Sequence, residues 1–187
     1  MINSKNLELH LISVSELLAL AANPVDPTIL DGKQFRNPYK VLVEGRSPVR
    51  YRAPQVIKNP DLNKWFIRWI VEKKSMEIVG SISFHGPPDE AGMLEVGLGI
   101  APEKQGFGYA KEALLEFWAW ALIQENVKTF RYTVSAENYA SIAVINFFEF
   151  EHVGQQIDEE DGPEEIFEMS CKTFAAKLDE FRFKLNL

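Results

Sequence analysis

The chain has 187 residues and a formal net charge of -7, enough length for one sizeable core and a balance that argues against broad binding to nucleic acid or anionic membrane. Apolar residues make up 46% and charged residues 25%, an ordinary globular profile that excludes a disordered or fibrous chain. No window reaches the roughly 18 apolar residues that span a bilayer, the start lacks the apolar stretch of a signal peptide, and a lone Cys171 excludes an intramolecular disulfide, so a cytoplasmic location is expected.

In chain order, Leu7, Leu9 and Leu11 alternate with polar residues as a short strand, and Ser13 to Glu16 offers an N-cap before the apolar run Leu17 to Ala22. Prolines and turn residues break any period from Asn23 to Pro60, which reads as loops with short helical pieces. Trp65, Ile67, Trp69 and Val71 share one face of a strand, Lys73 to Ser75 is a turn, and Ile78, Gly80, Ile82 and Phe84 line the returning strand. After a Gly-Pro-Pro-Asp break, Leu94, Val96, Leu98 and Ile100 alternate with Met93, Glu95, Gly97 and Gly99, so one face is apolar and the other nearly bare. Apolar residues at 110, 113, 114, 117, 118, 121 and 122 then form the stripe of an amphipathic helix.

Phe130, Tyr132 and Val134 mark another strand, and Ser141, Val144, Ile145 and Phe148 one face of a second helix. Phe150 to Gln156 and Glu165 to Cys171 read as two strands around the acidic loop Asp158 to Glu164, before a last amphipathic segment from Phe174 to Phe183. The order predicts an α/β (α+β) fold with a mixed, mostly antiparallel central sheet flanked by helices, because turns join the early strands and a long helix fills the central crossover. One domain over 1–187 is expected, with 23–60 shaping the acceptor side and 173–187 as a C-terminal helical extension.

The chemistry concentrates between Ile100 and the long helix, in Gln105-Gly106-Phe107-Gly108-Tyr109-Ala110. The first amides of a helix lack intrahelical acceptors and sit at the positive end of its dipole, and Gly106 and Gly108 let an anion approach the backbone. Lys104 or Lys111 is a candidate for an outer phosphate. A lone Gly-x-Gly is most often only a turn, but here the preceding strand carries Gly97 and Gly99, which leave room for an extended, amide-bearing ligand to pair along Leu98, Gly99 and Ile100. A pyrophosphate joined to such an arm has the shape of coenzyme A. The missing third glycine argues against a dinucleotide-binding turn.

At these residues the sequence resembles the GNAT superfamily of N-acetyltransferases, whose Gln/Arg-x-x-Gly-x-Gly/Ala motif is matched by Gln105, Gly108 and Ala110. A second family segment, Asn-x-x-Ser before a helix closing on Gly-Phe, is matched by Asn138, Ser141 and Phe150. Glu95-Val96-Gly97 and Glu137-Asn138-x-x-Ser141 are similar to the branch containing ribosomal-protein N-terminal acetyltransferases. Ile145 stands where many members carry a tyrosine, and Glu149 where the family has glycine. The resemblance spans about 7–171.

It implies direct acetyl transfer from acetyl-CoA to a primary amine, on a small molecule or a protein N-terminus. Glu95 is the candidate proton acceptor, the Leu98 N–H the candidate carbonyl polariser, and Ser141 the candidate partner of the departing thiolate. Gln105 to Ala110 and Asn138 complete the expected cofactor contacts. His10, His85 and His152 show no metal-ligand spacing, and no metal is expected; His85 is a minor candidate for proton transfer. No nucleic-acid or membrane partner is expected, and the chain is read as a monomer or homodimer. A non-catalytic acyl-CoA-binding module is the alternative, motivated by Ile145 and Glu149.

Overall fold

The computed structural model describes residues 2–44, 47–160 and 162–187. Its sheet has eight strands: β1 (Ile2–Asn3), β2 (Leu7–Leu11), β3 (Arg68–Glu72), β4 (Glu77–Phe84), β5 (Met93–Ile100), β6 (Thr129–Val134), β7 (Glu151–Asp158) and β8 (Gly162–Ser170). They lie in the order β1-β2-β3-β4-β5-β6-β8-β7, antiparallel throughout except for the β5–β6 pair. The expected mostly antiparallel mixed sheet is therefore present. Its one parallel pair needs a crossover, supplied by the long helix between β5 and β6.

Among the described residues the α-helices are α1 (Val14–Ala22), α2 (Val49–Lys58), α3 (Tyr109–Leu122), α4 (Tyr139–Phe148) and α5 (Cys171–Leu185). α1 starts in a capping box, Ser13 Oγ accepting from the Glu16 amide while the Glu16 carboxylate accepts from the Ser13 amide. Strand alternation sorts the faces. Phe84 stacks on Phe117 of α3 at 4.1 Å, while Ser83 accepts a hydrogen bond from Arg52 of α2. Leu94 and Phe130 therefore look toward α3 and α5, and Glu95 and Arg131 toward α2. On the α3 side Trp118 gathers Phe130, Phe148, Phe150 and Phe174, with ring centroids 4.9 to 5.8 Å away. Phe174 and Phe181 of α5 are fully buried in this cluster.

Two expectations need correction and one is met: the Asn23–Pro60 stretch holds short helical pieces, Pro27–Leu30 and the ten-residue α2, the latter despite Pro54 inside it. Burial of Val49, Arg52, Ala53 and Val56 along one face outweighs the hydrogen bond the proline removes. Trp65 closes a 3-10 turn, Pro60–Trp65, and the strand begins only at Arg68. The acidic loop is a tight hairpin, with Asp158 opposite Gly162. Glu164 and Glu165 belong to β8, where Gln156, Gln155 and His152 across the ladder hold their carboxylates. Asp161 lies outside the described residues. Among the described residues no helix is long and apolar enough to cross a membrane.

Candidate functional site

β5 and β6 pair only at Met93–Thr129, Leu94–Phe130 and Glu95–Arg131, although β5 runs on to Ile100 and β6 to Val134. Each keeps its outer neighbour over that length: β4 stays with β5 to Ile100, and β8 with β6 to Val134. The sheet thus splits from Val96 onward. Glu95 O accepts from the His85 amide and the Ala101 amide donates to Val79 O, so these alternate residues turn their backbone toward β4. The intervening Val96, Leu98 and Ile100 turn theirs into the gap, where an extended amide chain finds a strand edge. This edge is a different place from the glycine-bare face, since edge and face are perpendicular. Gly97 and Gly99 floor a separate cavity described below.

The gap ends at the turn 105–108. Gln105 Nε2 donates to Ile100 O at 3.2 Å, tying the turn to the end of β5. Gly106 and Gly108 have φ of +80° and +86°, and a Cβ on either would meet nothing within 4 Å, so open space faces both. Gly108 is the N-cap of α3 and supplies no side-chain acceptor, leaving the first amides of the helix available to an anion. Phe107, 67% exposed, stacks on Tyr109 at 5.8 Å. These features fit a pyrophosphate.

Beneath the turn, Lys104 bonds Glu72 at 2.8 Å and lies 3.4 Å from Glu77, and the Tyr109 hydroxyl also donates to Glu72. Lys104 is thus a strut that anchors the turn to the sheet, while Lys111 stands 4.5 Å over the Phe147 ring. Hydrogen bonds from Lys104, Tyr109 and Ser75 hold the Glu72 carboxyl at a pKa of about 2, against an ordinary 4.5. Burial and the Glu72 carboxylate push the Tyr109 phenol up to about 12.

A carboxyl depressed on folding stabilises the fold above its ordinary pKa, and the stabilisation disappears as pH falls through the folded value. Glu72→Gln should therefore be less stable than the parent by a constant amount above about pH 5, with the difference shrinking between pH 4.5 and about 2. Urea unfolding followed across pH for both proteins checks this.

On the α2 side of the sheet lies a cavity of about 630 Å³, between the start of α2, the Gly97–Gly99 stretch with Ser81 and Ser83 opposite, and the β7–β8 turn. Glu95 does not line it but lies behind His85, which does. Thr133 Oγ1 donates to Glu95 Oε1 at 2.6 Å, and His85 Nδ1 lies 3.5 Å from the same oxygen. Desolvation pushes the His85 pKa below its ordinary 6.5, with the Glu95 carboxylate opposing. His85 lines the cavity beside Arg52.

Ser141 lies across the sheet from this group. Its amide donates to Asn138 Oδ1 at 3.1 Å, which makes Asn138 the N-cap of α4. The Ser141 hydroxyl neighbours the phenol of Tyr132, whose pKa burial raises. Adjacent residues on β6, Tyr132 and Thr133, contact Ser141 and Glu95 respectively from opposite faces, so the two candidates flank the sheet at the level of the gap. Ile145 is packed in the core. Glu149 adopts φ +59°, ψ 38° at the end of α4, a conformation that favours glycine, and pairs with Lys177 and Lys184 of α5. That departure from the family pattern is satisfied locally.

Arg52, Ser83 and Thr133 are members of the site that the sequence reading did not single out. Thr133 was in principle findable, as the next same-face residue along β6 after the partner of Glu95. Arg52 had no such signal, because proline interruptions hid its helix.

The model of the acetyltransferase (GNAT) domain matches residues 46–151. An N-acetyltransferase of Bacillus subtilis (strain 168), YjdG, described as uncharacterised, is 38% identical over 94 residues. The match covers 50% of this chain and 55% of that relative, so the chain spans about half the length of the curated relative it matches. Among solved structures, a chimera of the spermidine N-acetyltransferase SpeG from Vibrio cholerae with hSSAT aligns at TM-score 0.62 and 14% identity, covering 91% of this chain and 99% of that one. A ribosomal-protein alpha-N-acetyltransferase, RimL, in complex with coenzyme A aligns at TM-score 0.60 and 18% identity, covering 89% and 95%. Those two likenesses are of the fold, whereas the domain match runs from the start of α2 through the split sheet and the turn to α4. With its motif residues Gln105, Gly108 and Ala110 assembled at one helix start, the chain belongs to the GNAT acetyltransferase domain family.

Proposed function

We propose that this protein is an acetyl-CoA-dependent N-acetyltransferase that passes the acetyl group directly to a primary amine, in a cytoplasmic setting. The observation that carries the reading is the split between β5 and β6, which leads straight to an uncapped helix start. Acetyl-CoA, when bound, supplies the activated thioester. The backbone of Leu98 and Ile100 lies along the open strand edge, and the amides of Tyr109 to Lys111 with Gly106 and Gly108 form the anion cradle.

Glu95 takes the proton lost by the amine, assisted by Thr133, which fixes one of its oxygens, and by His85 beside it. The Leu98 N–H donates to the carbonyl oxygen as charge builds there. Ser141, backed by Tyr132, donates to the departing sulfur. The acceptor enters through the cavity between α2 and the β7–β8 turn.

The test is incubation of the protein with acetyl-CoA and a panel of primary amines: free amino acids, peptides with free N-termini, and polyamines. Thiol release and the mass of the acceptor are both followed. Gain of one acetyl group on an amine, in step with thiol release, is expected. Tight acetyl-CoA binding without turnover on any amine would instead leave an acyl-CoA-binding module.

A further inference from the structure

Arg52 is 6% exposed, and burying a guanidinium is costly unless its donors are met. Its Nε reaches Ser83 Oγ at 3.4 Å, a long contact with a hydroxyl that itself donates to Phe84 O at 2.7 Å. The Phe66 ring is 5.7 Å away, at the outer limit of a useful cation–π contact. Among the described residues no carboxylate lies within 4.0 Å of it, and its Nη groups have no hydrogen-bond partner.

Arg68 provides the contrast within the same protein. It is 4% exposed, but its Nη1 donates to Phe66 O at 3.1 Å and its Nη2 to Lys64 O at 2.8 Å. Its plane also lies 4.7 Å over Phe117 and 4.6 Å over Trp120. Arg68 is a finished structural cation. Arg52 is not, and it lines the cavity.

Two further features favour an anion beside Arg52. The positive end of α2 faces the same space; Ser47 Oγ accepts from the Val49 amide at 3.3 Å, and Pro48 as the N-cap offers no side-chain acceptor to the amides beyond it. Of the three acids on the opposite wall, Asp158, Glu159 and Glu160, Glu160 pairs with Arg50 across the mouth, and among the described residues none forms an ion pair with Arg52. Glu95 exerts an attraction on Arg52 without forming an ion pair with it.

Resting on the acetyl-transfer reading above, we propose that Arg52 binds a carboxylate of the acceptor, so that the substrate is an amine that also carries a carboxylate and not a polyamine. The amine end then lies toward Glu95 and the carboxylate toward Arg52. A free amino acid and an acidic side chain beside a peptide N-terminus present the same chemistry.

The experiment separates these sources with matched pairs: alanine against alaninamide, and peptide amides beginning with glutamate against those beginning with glutamine. Spermidine is the polycation control. In one pair the carboxylate member should have the higher kcat/KM by about 10- to 100-fold, the range of a charge-assisted hydrogen bond, and that pair identifies the source. Arg52→Lys should keep part of the preference and Arg52→Met should abolish it through KM, with KM for the neutral member nearly unchanged. Acetyl-CoA titration and thermal unfolding confirm that each variant is folded.

Equal rates within both pairs, a preference for spermidine, or a preference that survives Arg52→Met would overturn the proposal. If no amine is acetylated, the function reading fails separately. Calorimetric binding of the same pairs in the presence of coenzyme A then decides the Arg52 proposal: carboxylate-selective binding lost in Arg52→Met supports it, and binding without selectivity, or none, refutes it.

Discussion

Gly108→Trp is expected to weaken acetyl-CoA binding by two to three orders of magnitude in isothermal titration. Gly108 holds φ +86° at the start of α3, with nothing within 4 Å of where a side chain begins. An indole there fills the space through which a phosphate reaches the helix amides. A hydrogen bond to a charged group is worth about 1.5–3 kcal/mol. Loss of two such bonds at the weaker end of that range, about 1.5–2 kcal/mol each, amounts to about 3–4 kcal/mol, and every 1.4 kcal/mol is tenfold in affinity.

The left-handed backbone adds a cost of about 1–2 kcal/mol in stability for any residue with a Cβ. Gly108→Ala separates strain from blockage, since it carries that strain without the bulk. Its melting temperature should fall like that of the tryptophan variant while its acetyl-CoA affinity falls far less. Equal affinity losses in both would make strain the cause. Wild-type affinity in a folded Gly108→Trp would remove the turn from the cofactor site.

Glu95→Gln should lower kcat/KM by about 10²–10³-fold, within the range that a positioned proton acceptor contributes. The amide keeps the shape of the carboxylate and an oxygen for the Thr133 hydroxyl, which now bonds it at 2.6 Å, so folding should be little changed. Acetyl-CoA affinity should stay within about twofold, because Glu95 faces the α2 side of the sheet, away from the turn at 105–108. Steady-state kinetics at saturating acetyl-CoA beside a titration of the variant checks both halves. A loss of less than about threefold would reduce Glu95 to an orienting role and pass the proton to His85, whose Nδ1 lies 3.5 Å from it.

Much of the site was legible because it is local. The Gly-x-Gly turn, the strand before it and the apolar stripe after it are contiguous, and their periods specify strand, turn and helix without reference to the rest of the chain. The same holds for the Asn138 cap and Ser141, three residues apart at the start of one helix. Where the reading erred, tertiary burial had overridden local signals. Pro54 argues against a helix that four buried residues nonetheless stabilise, and the acids at 158 and 164 argue for a loop where cross-strand pairing carries both strands further.

By itself, then, the sequence determined the order of strands and helices from Arg68 onward, the mostly antiparallel sheet, and the glycine turn at a helix start. Hydrophobic period, glycine and capping chemistry act within a few residues of one another, so these features need no distant partner. Only the tertiary structure decided that β5 and β6 part after three residue pairs, that Lys104 is committed to Glu72, and that Arg52 comes to a cavity with its Nη groups unmet. Each of these depends on side chains or strands more than 30 positions apart in the chain, such as Lys104 with Glu72 or Arg52 with Ser83, and the free energy that joins them comes from burial in one shared core.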